Sequence, residues 1–144
     1  MRSQPFSAKT MNSIVNRVPL MNRFVIESWL LLIQLEFVMK FRGFHALHGL
    51  VHTRCVQPTA ATRPSSELLC HAMDLACVFY FKRVLCLQRS AAATLLLRRY
   101  GWHAEMVTGI QILPFTSHAW VEIYGTVVND KPYVRDIYQV LERC

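Results

Sequence analysis

No C-x-x-C pair occurs in this 144-residue chain, and its five cysteines are odd in number and irregularly spaced. That excludes a zinc ribbon and a paired disulfide framework, and it points to a reducing, cytoplasmic interior with at least one thiol free. Nor does any apolar run approach the roughly 20 residues that would span a bilayer. The most apolar run, WLLLIQLEFVM from Trp29 to Met39, holds Gln34 and Glu36 and reads as a core helix, with contact at a membrane surface as the lesser reading. The opening residues lack the compact apolar block and small-residue cleavage site of a secretory signal. Acidic residues are few, 9 Asp+Glu against 16 Lys+Arg, and the formal net charge of +7 favours an acidic partner. The basic residues are scattered, and no helix-turn-helix, zinc-finger or aromatic RNA-binding signature accompanies them, which sets nucleic acid aside. What is abundant is apolar: hydrophobic residues make up 53% and the mean hydropathy is +0.23, implying apolar surface for another protein or a membrane face.

The length suits one core. Residues 1–20 read as a loose N-terminal arm and 21–144 as the domain. A helix is predicted from about Asn22 to Phe41, ending near Gly43, with a weaker one over FHALHGLVHT. VQPTAATRPSS, from Val56 to Ser66, is a linker. Ser66 then caps a helix over ELLCHAMDLACVFYFKR, with Glu67 in its first turn. After Cys86, LQRSAAATLLLRRYG ends on Arg98, Arg99 and Gly101, as a helix C-terminus should. HAEMVTGIQIL, HAWVEIYG and TVVND are short and β-prone. The expectation is an α+β fold, helices first and then an antiparallel meander.

Three residues stand at element edges. A thiol attacks only as thiolate, and the unpaired N–H groups of a helix start favour that form and could also hold an oxyanion. Cys86 opens such a helix; the bland alternative is a buried structural cysteine. Cys55, Cys70, Cys77 and Cys144 have no comparable setting, and Cys70 and Cys77 read as core or helix-face residues. His118 opens a strand and shares a face with Trp120 and Glu122. If the next turn is the three-residue loop Ile123-Tyr124-Gly125, His118 faces Asp130, close enough for the carboxylate to orient the imidazole; a two-residue Tyr124-Gly125 turn would set Asp130 opposite Ala119. Nucleophile, base and orienting carboxylate then follow in the order Cys86, His118, Asp130. A polar rim made of His118 and Asp130 is the competing reading.

Cys86-Leu87, Arg98-Arg99, Gly101, Gly109, His118-Ala119-Trp120-Val121-Glu122 and Asp130, taken in order, resemble the transglutaminase-like, papain-like cysteine protease half of the lasso-peptide maturation B proteins. The resemblance is close over about a third of the chain and weaker back to about Trp29. It implies a cysteine peptidase that cuts the leader from a ribosomally made precursor peptide through a Cys86–His118–Asp130 triad and a thioester, without a cofactor. It also implies a separate winged-helix protein that recognises the leader, with an asparagine-synthetase-like cyclase as a further partner. Acyl transfer to an amine by the same triad, or a non-catalytic scaffold in a maturation complex, are the alternatives. The resemblance says nothing of His45, His48 and His52, which share a helix face at i, i+3 and i+7. They read as a solvated or partner-facing surface rather than a metal site.

Overall fold

The computed structural model describes residues 8–58 and 63–144, with side-chain surroundings from residue 21 onward. Among the described residues the elements run α1 (Ala8–Thr53), α2 (Ser66–Val78), α3 (Cys86–Arg99), β1 (Ala104–Gln111), β2 (Thr116–Ile123), β3 (Thr126–Val127), α4 (Val134–Ile137) and β4 (Gln139–Arg143).

In α1, Phe24, Leu31, Leu32 and Leu35 are buried at the spacing of one helix face. Gly43, with φ 75° and ψ −174°, interrupts it. The two expected helices are therefore rods on either side of this glycine, the second anchored by buried Leu47 and Val51. Residues 8–20 of the expected loose arm have helical backbone continuous with α1, and residues 1–7 lie outside the described residues.

The linker leads to α2, with its residues 59–62 outside the described set. Its end is tied down: the Arg63 guanidinium lies 3.7 Å over the Trp102 ring and donates to the Gly101 carbonyl at 3.1 Å. The cap of α2 is Ser65, one residue earlier than expected. Ser65 is extended and its hydroxyl accepts the Leu68 N–H, so Ser66 is already helical. The helix stops at Val78, short of the expected Arg83. From there Phe79 and Phe81 face out and Tyr80 faces in, a two-residue alternation that a helix cannot satisfy.

α3 is the central helix. Its Ala91, Ala92, Ala93, Leu96 and Leu97 are fully or almost fully buried against α1, α2 and the sheet, the small side chains allowing close approach. Its end carries a left-handed Gly101 at φ 82°, whose N–H reaches the Arg98 carbonyl while the Trp102 N–H reaches Leu97. Arg98 does more than complement the helix dipole. Its buried guanidinium donates to the carbonyls of Val51, Arg54, Ala104 and Cys144, joining the end of α1 to β1 and the end of β4.

The sheet is antiparallel in the order β3-β2-β1-β4. Ala104, Met106, Val121 and Ile123 enter the helical core. Val107 and Trp120, opposite each other, pack on Val134 in a smaller cluster. The expected meander is β1-β2-β3, and β4 adds a strand that sequence patterning did not indicate. Every residue of β4 is exposed, so it carries no alternation to read.

Candidate active site

The β2–β3 turn differs from the three-residue loop expected. Ile123 pairs with Thr126 and Glu122 with Val127, leaving the two-residue turn Tyr124-Gly125. Both turn residues have positive φ, 48° and 77°, the combination whose twist matches a two-residue hairpin. Tyr124 is exposed, so its ring does not oppose this geometry.

In this register Asp130 would fall opposite Ala119, yet His118 Nε2 stands 2.7 Å from Asp130 Oδ2. The ladder's last backbone bond is Val128 N–H to the Val121 carbonyl, at 3.0 Å. Beyond it the chain leaves β2. The buried Asn129 side chain accepts the Val121 N–H at 2.7 Å, and Asp130 swings to the imidazole.

Burial alone would raise the Asp130 carboxyl. The His118 hydrogen bond, the Lys131 N–H at 2.7 Å and the charges of His118 and Arg89 outweigh it and hold the carboxyl below its ordinary value. With Nε2 engaged by a carboxylate, the other ring nitrogen, Nδ1, is the one left to meet a thiol. The His118 ring lies at 5.1 Å from that of Tyr138 and 6.3 Å from that of Trp120, both roughly parallel to it.

Cys86 is the first residue of α3, after an extended Leu85. No hydrogen bond joins its thiol to His118 among the described residues; such contacts are commonly long in a free enzyme and tighten with substrate. The elements are nonetheless fastened beside both residues. Ser90, one turn on from Cys86, donates to the carbonyl of Ala119, next to His118, at 2.9 Å. Arg89 bonds the Asn129 carbonyl at 2.8 Å and pairs with Asp74 of α2 at 2.6 Å.

Three of the other thiols sit in settings that disfavour the thiolate. Burial, reinforced by Asp74 and offset by Arg89, pushes Cys70 up to about 11. Burial likewise raises Cys77 and Cys144.

Ser90, Asn129 and Tyr138 are the site residues that sequence reasoning missed. Ser90 had a signal, its i+4 spacing from Cys86; Tyr138 had none, because it arrives with β4. Glu122 is also more than a strand residue. Its fully buried carboxylate accepts from the Trp120 indole at 2.8 Å and from Arg143 at 2.7 Å, with Arg135 at 3.5 Å. Burial opposes its charge, but these partners hold it below the usual carboxylate range.

Two of the three histidines of α1, His48 and His52, stack on each other at 6.4 Å. His48 turns to β4, 2.8 Å from the Cys144 sulfur and 3.1 Å from a Glu142 oxygen. Among the described residues no group of three His, Cys, Asp or Glu side chains is arranged to hold a metal.

Residues 29–143 match the transglutaminase-like superfamily, and the chain belongs to it. Separately, 56 residues are 41% identical to the microcin J25-processing protein McjB of Escherichia coli, a match covering 39% of this chain and 27% of that protein. The chain thus aligns with about a quarter of its relative's length. No solved structure matches it. The family match begins at Trp29, eight residues after the domain boundary expected from the sequence.

Proposed function

We propose that the protein is a cysteine peptidase that removes the leader from a ribosomally made, lasso-type precursor peptide, with Cys86 as nucleophile, His118 as base and Asp130 as the carboxylate that orients it. The observation that carries this reading is the 2.7 Å His118–Asp130 pair, set beside a helix that begins with a cysteine. The partial likeness to a microcin-processing protein supports the substrate class.

Asp130 holds the Nε2 proton, so Nδ1 takes the proton of the Cys86 thiol. The thiolate sulfur adds to the scissile carbonyl, and the N–H groups at the start of α3 face the developing oxyanion. The C–N bond breaks as the imidazolium returns its proton to the departing amine. Water, deprotonated by His118, then cleaves the thioester and releases the leader carboxylate.

The domain is residues 21–144, working in the cytoplasm, where its five unpaired cysteines stay reduced. Its partners are the precursor, a winged-helix leader-recognition protein and an asparagine-synthetase-like cyclase. Ile26, Leu30, Phe37 and Phe41 form an exposed apolar stripe on α1, with Phe37 and Phe41 stacked, and offer such a partner a docking face. Among the described residues no helix is long and apolar enough to cross a membrane. The test is to combine the protein with a lasso-type precursor and its recognition protein and to weigh the products. A free leader carboxylate supports hydrolysis, and a leader amide formed with an added amine would establish transfer instead.

A further inference from the structure

Asn129 occupies an unusual place in the hairpin. In the two-residue register, Val121 and Val128 are partners that would exchange both backbone bonds. Only one is made, Val128 N–H to the Val121 carbonyl. The Val121 N–H is taken instead by Asn129 Oδ1 at 2.7 Å. A side-chain amide thus stands in for the strand, the buried donor stays satisfied, and the backbone is free to leave the sheet at the residue before Asp130.

The other end of the same amide reaches the helix. Asn129 Nδ2 donates to Ser90 Oγ at 3.1 Å, and the Ser90 hydroxyl in turn donates to the Ala119 carbonyl. Ser90 and Asn129 are both buried, so neither bond competes with solvent. Each member of the network adjoins a member of the site: Ser90 lies one helical turn from Cys86, Ala119 follows His118, and Asn129 precedes Asp130.

We propose that Asn129 is the positioning residue of the site: its amide ends the hairpin ladder, turns Asp130 onto His118 and, through Ser90, fixes that pair against the helix that carries Cys86. This rests on the reading of Cys86, His118 and Asp130 as the reacting group. Asn129 touches no reacting atom itself. A tight hairpin sets the wrong residue opposite the histidine, and Asn129 is the device that corrects it.

The test is ¹⁵N NMR of the His118 ring in the full chain, in wild type, Asn129→Ala, Ser90→Ala and Asp130→Asn, with circular dichroism as the control for folding. Wild type should hold a single His118 tautomer, protonated at Nε2. Asn129→Ala should lose that preference as completely as Asp130→Asn, and alkylation of Cys86 by iodoacetamide, resolved by peptide mass, should slow by roughly tenfold or more. Ser90→Ala leaves the Val121 N–H satisfied and should shift the tautomer balance partway in the same direction. A folded Asn129→Ala with the wild-type tautomer overturns the proposal. So does a wild-type Ser90→Ala spectrum where Asn129→Ala fails to fold. The ring spectrum does not depend on catalysis, so a wild type that cuts no peptide would refute the peptidase reading and leave this inference decided by the tautomer alone.

Discussion

His118 Nε2 and Asp130 Oδ2 stand 2.7 Å apart although the backbone ladder joining their segments ends at Val128, two residues before the aspartate. The pair is therefore made by the chain that leaves the sheet. A carboxylate held this way answers to its hydrogen bonds more than to strand register.

Asp130→Asn keeps the shape but loses the charge that stabilises the imidazolium, so turnover should fall by roughly a hundredfold or more while KM changes little. The same variant tests a pH effect. The folded-state carboxyl lies below its ordinary value, so its contribution to stability is present above the unfolded pKa and is lost as pH falls through the folded one. Melting temperatures measured from neutral pH down to about 3 should drop more steeply for wild type than for Asp130→Asn, a range spanning the ordinary aspartate value. Parallel curves would show that the pair adds nothing to folding.

His118→Ala and Cys86→Ala should each remove cleavage, and the double variant should be hardly worse than either, because members of one reacting unit are strongly non-additive. Rates measured on one precursor decide it. Additive losses would mean that the two residues act separately.

Glu122→Gln should cost more in stability than in chemistry. The change leaves Arg143 and Arg135 facing a neutral amide in a buried site, and about 1–3 kcal/mol is the scale of one charged hydrogen bond. Chemical denaturation would measure that loss, and activity per folded molecule should stay within a fewfold of wild type. A larger fall in activity than for Asp130→Asn would move the orienting role to Glu122.

Gly109 faces His118 across β1 and β2. A Cβ there would lie 2.9 Å from the Gln139 carbonyl and 3.0 Å from the Trp120 ring. Gly109→Ala should therefore displace β4 or tilt the indole, at a cost of about 1–3 kcal/mol. Thermal melts together with Trp fluorescence check it; an unchanged melt would show that β4 yields freely.

Much of this was legible in the sequence. Cys86 at a helix start, the Arg98-Arg99…Gly101 ending and the shared face of His118, Trp120 and Glu122 all follow from local chemistry and period. The turn was not, because Tyr124 at positive φ is a poor choice for a tight hairpin on propensity alone, and only the Ile123–Thr126 pairing selects it. Asn129 was passed over for a related reason. Its place looked like the end of a strand, and its value comes from Ser90, 39 residues away. β4 was hidden because its partner is β1, which an all-exposed segment does not announce, and Tyr138, just before it, reaches the His118 and Trp120 rings only through that pairing.

The most direct test of the reaction is the intact mass of the protein mixed with a lasso-type precursor and its recognition protein and quenched in acid within the first turnover. The account predicts a species heavier by the leader, joined at Cys86 and released by hydroxylamine, that is absent from Cys86→Ala and accumulates when hydrolysis is slowed. Cleavage by Cys86→Ala at the wild-type rate, or an adduct mapped to another cysteine, would contradict it.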